Sequence, residues 1–426
     1  MKYSLTEHDG FSLATILQPH LPTVTAYISA DIHESQNAKV RATELVYTDM
    51  LLSGAGKHNR TDFLDAVNQL GASIAITVSD GIFSISLRAK ADVFKKVLGL
   101  SEVMLLTPHF DAKELTRVKQ TIIGAIKESR EDSRAIAHEG LRNSLYGAGD
   151  RRTAPDEAAL IKAVKAVTKA DLTKLHKHIH SLSWTCSIAG NSVVVSDFQK
   201  SVAKLAKSAK KRVKTAGIHK QNPPRKSLVL RDIPSRQNID FSIGAPIPLT
   251  LHHPDFLPLM FGISVLGKWG GFAGRLMSTV REQEGLTYGI YAKTETMLNE
   301  ELGYWRIMTF FAPEKALQGL TSTFREIKKI YEHGITKEEL GRFKQIIGTS
   351  DVLKNDSTAS LLGELHSYHL QQFSLGEIAE HKRRMTEVSL DEVNAALKKY
   401  LNPALLTVSA AGPVKKVEKE LKAFMK

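Results

Sequence analysis

The chain repeats itself. Glu114-Leu-Thr-Arg-Val-Lys-Gln120 returns as Glu339-Leu-Gly-Arg-Phe-Lys-Gln345, with five of seven positions identical at an offset of 225. Val167-Thr-Lys-Ala-Asp-Leu172 then lines up with Val388-Ser-Leu-Asp-Glu-Val393. The glycine-ended segments Cys186-Ser-Ile-Ala-Gly190 and Val408-Ser-Ala-Ala-Gly412 follow, so that the later offsets are 221 and 222. The same order at a nearly constant offset requires two copies of one unit of about 200 residues, a size that keeps each core within the usual limit of a single domain. The expected boundaries are 1–199 and 227–426, joined by a linker at 200–226.

Within a copy the periodicity changes from two to that of a helix. Ser73–Ser79 and Ile82–Arg88 alternate in period two around Ser79-Asp80-Gly81, a hairpin turn. Asp62 to Leu70 has helical spacing and stops at Gly71, and Ala91 to Leu106 and Asp111 to Ser129 predict two further helices. In the second copy Gly289–Lys293 and Leu302–Thr309 supply strands, with helices over Lys315–Glu332 and from Lys337 onward. The fold class is α+β: two tandem units, each an antiparallel sheet covered on one face by helices.

A net charge of +13 raises the question of a polyanion partner. Residues 200–226 hold ten Lys or Arg and no acid, and without them the charge falls to +3. The basicity is local and sits beside Gly217 and Pro223-Pro224, as in a solvated linker. Neither nucleic acid nor a membrane is expected as a partner, since no apolar run reaches the roughly 18 residues of a span. The first residues lack the apolar core of a signal peptide, and the single cysteine, Cys186, fits a reducing compartment. A cytoplasmic location is expected, with the periplasm as the alternative.

The stretch 266–289 carries the chemistry. Gly267, Gly270, Gly271 and Gly274 form a glycine-rich loop with Trp269 and Phe272, which leads into an amphipathic segment from Arg275 to Glu284. Arg281 and Tyr288 lie seven residues apart across Gly285. Both can donate hydrogen bonds to a carbonyl or carboxylate oxygen. The stretch matches neither the phosphate-cradling Gly-Lys-Ser/Thr nor G-x-G-x-x-G. The plain alternative pairs Arg281 with Glu284 or a neighbouring acid and places Tyr288 in a strand.

The duplicated unit, the glycine-rich loop and the run Arg275-Leu276, Arg281-Glu282, Gly285-Leu286-Thr287-Tyr288 resemble the insulinase-like, or pitrilysin-type, zinc peptidases. The resemblance is to their short two-subunit form and covers nearly the whole chain. Active members carry H-x-x-E-H in a helix of the first half. Here the equivalent place is Leu45-Val46-Tyr47-Thr48-Asp49, and Ala125 and Ile126, with Glu128 nearby, stand where the third ligand belongs. Neither Leu nor Thr replaces imidazole on zinc, so no metal and no cofactor is expected on this chain. The resemblance implies a zinc-less subunit of a heterodimeric metallopeptidase acting on peptides. The homologous partner holds the zinc, Arg281 and Tyr288 serve as catalytic groups, and Gly267, Trp269, Gly270, Gly271 and Phe272 contact the peptide. A structural subunit and a peptide-binding module are the alternatives.

Other histidines have plain readings. His176, His178 and His180 mark a helix end entering an exposed loop. Glu377-Ile-Ala-Glu380-His381 is one residue short of the inverted motif and reads as a surface helix, and His366 and His369 as packing or surface residues.

Overall fold

The structure is a computed structural model that describes residues 3–32, 36–209, 221–268, 273–295, 301–354 and 356–426. It divides into two compact units, one of 1–127, 155–215 and 353–378, the other of 128–154, 216–352 and 379–426.

The first unit is built on β1 (Tyr3–His8), β2 (Phe11–Leu17), β3 (Thr23–Asp31), β6 (Ser73–Ser79), β7 (Ile82–Lys90) and β8 (Trp184–Gly190), with β4 (Gly54–Ala55) and β5 (His58–Asn59) as a small separate hairpin. The second uses β9 (Ser227–Asp232), β10 (Ile239–Pro246), β11 (Ile290–Glu295), β12 (Tyr304–Phe311) and β13 (Thr407–Gly412). The first half of the sequence holds helices α1 (Ala38–Leu51), α2 (Arg60–Gln69), α3 (Phe94–Leu106), α4 (Ala112–Ser129), α5 (Ser133–Leu145), α6 (Glu157–Ala166), α7 (Lys169–Ser181) and α8 (Ser192–Leu205). The rest holds α9 (Phe256–Gly267), α10 (Ala316–His333), α11 (Lys337–Lys354), α12 (Thr358–Leu370), α13 (Leu375–Glu387), α14 (Leu390–Tyr400) and α15 (Glu418–Phe424). The expected linker thus begins inside α8, and residues 210–220 lie outside the described residues.

The duplication is visible in the strand order. The first sheet runs β1-β2-β8-β3-β7-β6 and the second β9-β13-β10-β12-β11, the same order with one strand fewer. The repeated local signals produce the repeated structure. Thr168 with Asp171 opens α7 through a capping box, and Ser389 with Glu392 opens α14 in the same way. The β6–β7 hairpin turns at Asp80 (φ 47°) and Gly81 (φ 75°), the left-handed pair that matches strand twist.

Two expectations need correction. Neither sheet is wholly antiparallel, because β8 runs parallel to β2 and β13 parallel to β9. Each of these strands returns after a long helical crossover, which permits parallel pairing. Nor are the helices confined to one face. Val24, Ala26, Ile28 and Ala30 of β3 enter the main core, while Ser29, on the other face, lies under α12. In the second unit Ile239, Phe241 and Ile243 enter the core, and α5 lies across the other face of β10 and β13. Each covering helix comes from the opposite half of the sequence. Small residues allow the close approach: a Cβ on Gly140 of α5 would overlap the Ser409 hydroxyl.

Candidate functional site

The glycine-rich loop is pinched at its base. A Cβ on Gly274, which has φ +121°, would lie 2.8 Å from the Gly267 Cα, and one on Gly267 would lie 3.2 Å from the Ala292 nitrogen. Only glycine suits a left-handed backbone at such an approach. Lys268 forms a parallel bridge to Ala292 of β11. Trp269, Gly270, Gly271 and Phe272 lie outside the described residues. Beyond the loop, Arg275 grips Glu339 through Nε and Nη2, both at 2.8 Å, and donates to the Gly334 carbonyl at 3.0 Å. This two-pronged pair fixes the start of the segment that follows.

The amphipathic segment forms a π-helix over Met277–Gln283, wider than an α-helix. The Glu284 amide reaches back five residues to the Thr279 carbonyl (3.0 Å), and the Leu286 amide six residues to that of Val280 (3.0 Å). Such wide turns recur at functional sites. Leu276, Met277 and Val280 are buried on the core side, and Arg281 is half-buried at the rim.

The turn after Gly285 presents Tyr288. The Gly289 amide donates to the Thr287 hydroxyl at 3.3 Å, and the buried Thr309 hydroxyl donates to the Gly289 carbonyl at 3.1 Å. Tyr288 is therefore held at a pinned corner ahead of β11, with 74 % of its surface exposed. The Arg281 guanidinium lies 5.1 Å from the Tyr288 ring centroid. That separation suits a cation over an aromatic face. No hydrogen bond to the Tyr288 hydroxyl occurs among the described residues. Glu284 is engaged by Ser322 and Arg325. The pair is thus brought together, and Tyr288 does not fill a strand position. In the sequence Thr287 appears beside Tyr288 without this role, and Thr309 is not singled out. A threonine in a strand carries no signal of this kind until its neighbours are known.

The zinc-motif positions lie on α1. Val46 and Tyr47 are fully buried, the Tyr47 hydroxyl is 2.9 Å from His176 Nδ1, and the Thr48 hydroxyl donates to the Leu45 carbonyl at 2.9 Å. Asp49 is exposed. Leucine, threonine and aspartate at these three places are not a zinc-binding donor set. Among the described residues no three His, Cys, Asp or Glu side chains converge as a metal site.

Residues 166–347, which contain Arg281 and Tyr288, match the family described as the peptidase M16 inactive domain. A "non-peptidase homolog" YmxG of Helicobacter pylori is 20 % identical over 373 residues, covering 87 % of this chain and 84 % of that protein. An uncharacterized zinc protease YmxG of Bacillus subtilis is 21 % identical over 372 residues, covering 85 % and 87 %. Among solved structures, a peptidase M16 inactive domain from Pseudomonas fluorescens superposes with a TM-score of 0.85 at 22 % identity, covering 97 % of this chain and 98 % of that one. Residues 166–347 thus match the peptidase M16 inactive-domain family, and the chain is similar to these relatives over most of its length. A protease structure from Helicobacter pylori shares the fold at a TM-score of 0.81 and 13 % identity, over 96 % of this chain and 99 % of that one.

Among the described residues, His176, His180 and His366 are packed within the fold. The reading of His176–His180 as the entry to an exposed loop is corrected, because α7 continues to Ser181 and leads almost directly into the buried β8. His176 and His180 are one turn apart with ring centroids at 4.5 Å, and burial together with His180 lowers the His176 imidazole to about 4. His366 is buried, with Nε2 2.9 Å from the Ser29 hydroxyl and Nδ1 2.8 Å from that of Ser187. Glu377 caps α13 at Ser374, and Glu380 pairs with Arg383, which accounts for the near-motif there. No helix among the described residues is long and apolar enough to cross a membrane.

Proposed function

We propose that this chain is the zinc-less subunit of a heterodimeric metallopeptidase. It supplies Arg281 and Tyr288 to a site whose zinc, bound water and general base belong to a homologous partner carrying H-x-x-E-H. The observation that carries the reading is the pinned, exposed Tyr288 beside Arg281, with its hydroxyl available to a ligand. Tyr288 donates to the scissile carbonyl as negative charge builds on its oxygen. Arg281 steadies the same oxygen or the next peptide carbonyl. The loop from Gly267 to Gly274 contacts the peptide. The scaffold reading draws on the word "non-peptidase" in the name of the Helicobacter pylori relative.

The test is hydrolysis of a generic unstructured peptide by this chain alone, by a zinc-motif homologue from the same genome alone, and by the two mixed. Activity confined to the mixture supports the split site. An inactive mixture leaves the scaffold reading in its place.

A further inference from the structure

The two sheets end differently at corresponding edges. In the first, β2 pairs with β8 on one side and with β1 on the other, in register from Tyr3 with Ile16 to His8 with Phe11. Asp9-Gly10 makes this possible, since Gly10, with φ +77°, closes the β1–β2 hairpin. In the second sheet the equivalent strand is β9, and Pro223-Pro224 precede it where a hairpin partner would have to lead in. Proline has no amide to give to a ladder. The incoming chain is tied instead to the end of α5, through the Asn222 amide on the Leu145 carbonyl at 2.8 Å. Among the described residues the second sheet therefore has five strands where the first has six.

The direction of the free groups follows from the ladder. Ser227 donates to the Leu406 carbonyl and Ile233 to that of Gly412, so the odd-numbered residues of β9 face β13. In a parallel pair the amide and carbonyl of one residue point the same way. Those of Leu228 and Leu230 point outward, and they have no hydrogen-bond partner among the described residues. Residues Ser227–Leu230 are only half-buried, whereas the first six residues of β2 are buried.

The surroundings of this edge are basic. Arg225 and Lys226 precede the strand, Arg231 lies on it, and Lys415 and Lys416 sit in the turn that packs against its far end, all exposed. The acid on the strand, Asp232, is paired with Lys415 at 3.3 Å. Two copies of β9 meeting edge to edge would bring these cations together, which disfavours self-pairing.

We propose that the β9 edge docks an acidic extended segment of another polypeptide, which adds as a sixth strand in the place that β1 holds in the first sheet. The outward Leu228 and Leu230 groups supply the ladder, and the flanking cations select the charge. This inference stands apart from the Arg281–Tyr288 site.

The experiment is fluorescence anisotropy on the full chain with a fluorescein-labelled peptide of alternating glutamate and valine. Controls are the same peptide with proline for valine, and with lysine for glutamate. The acidic peptide binds and both controls fail. Leu230→Pro removes an outward amide and leaves the β13 ladder whole, and it weakens binding at least about tenfold. Arg231→Glu weakens it by a similar factor without touching the backbone, so the test survives a folding defect in Leu230→Pro. Failure of the acidic peptide to bind, equal binding of the lysine peptide, or indifference to both substitutions overturns the proposal. So does a dimer of the unliganded chain in sedimentation that Leu230→Pro dissolves, because a second copy then covers the edge.

Discussion

The first and second units share a strand order and little of their polar chemistry. At the positions expected for the two histidines and the base of H-x-x-E-H, the first unit has Leu45, Asp49 and Thr48, and the helix crossing its second sheet face is held by a histidine between two serines. The second unit buries an arginine. Arg152 is buried against the Tyr146 ring at 3.7 Å, donates to Asp150 at 2.6 and 2.7 Å, and reaches the Leu302 carbonyl at 2.8 Å. At its surface it presents Arg281 and Tyr288. The contrast separates what the fold needs from what a site needs. Capping boxes, the sheet order and small residues under a covering helix recur in both units or have equivalents in each. The exposed aromatic–cation pair occurs in one.

Four outcomes would sharpen or break that contrast. The largest effect is expected at Arg152. Arg152→Ala leaves Asp150 buried without its cation and costs about 3–5 kcal/mol, measured by urea unfolding. A loss below about 1 kcal/mol would mean that the second unit does not depend on its ions.

Acid is the next lever, and it acts on both units. Burial, with the neighbouring His369, holds the His366 imidazole down to about 3, and burial ahead of Arg306 does the same for His138, which sits 2.7 Å from the Tyr304 hydroxyl. An unfolded histidine takes up its proton near pH 6.5. Between those values the unfolded chain binds more protons, so the stability is present in full above pH 6.5 and is lost as pH falls toward 3. Melting temperature should drop over this window, and a His366→Gln, His138→Gln double variant should show a flatter slope. An unchanged slope would place the acid sensitivity elsewhere.

Thr309→Val should cost about 1 kcal/mol by removing one of the two hydroxyls that donate to the Gly289 carbonyl, the other being that of Thr287, and should lower the activity of the reconstituted pair further than that of a control with the same stability loss. Thr309→Ser should restore both, since the hydroxyl is what holds the Tyr288 corner. The smallest effect on folding is expected at Tyr288→Phe. Its ring is mostly exposed, and the change should stay within about 0.5 kcal/mol.

The sequence made the local structure legible where one residue type dictates a conformation. Asp80-Gly81 sets its hairpin, and Thr168 and Ser389 start their helices without help from tertiary contacts. It hid the exchange of α5 and α12 between halves. Ser29, Ser187 and Ser409 alternate with apolar residues and look like a solvated face, yet all three are buried beneath a helix. A serine is small enough to be covered and polar enough to appear exposed. Arg281 and Tyr288 could be named from the sequence as a candidate pair, but not their geometry. Its spacing depends on a π-turn and on Thr309, some twenty residues away, and neither has a one-dimensional signature.

The most direct measurement of the central claim is turnover by the reconstituted pair with wild-type and Tyr288→Phe chains, matched for melting temperature and for binding of the zinc subunit. The account predicts that kcat falls about 10²–10³-fold with little change in KM, as when one oxyanion donor is removed. Equal turnover by the two chains would contradict it and make the exposed tyrosine a feature of the surface alone.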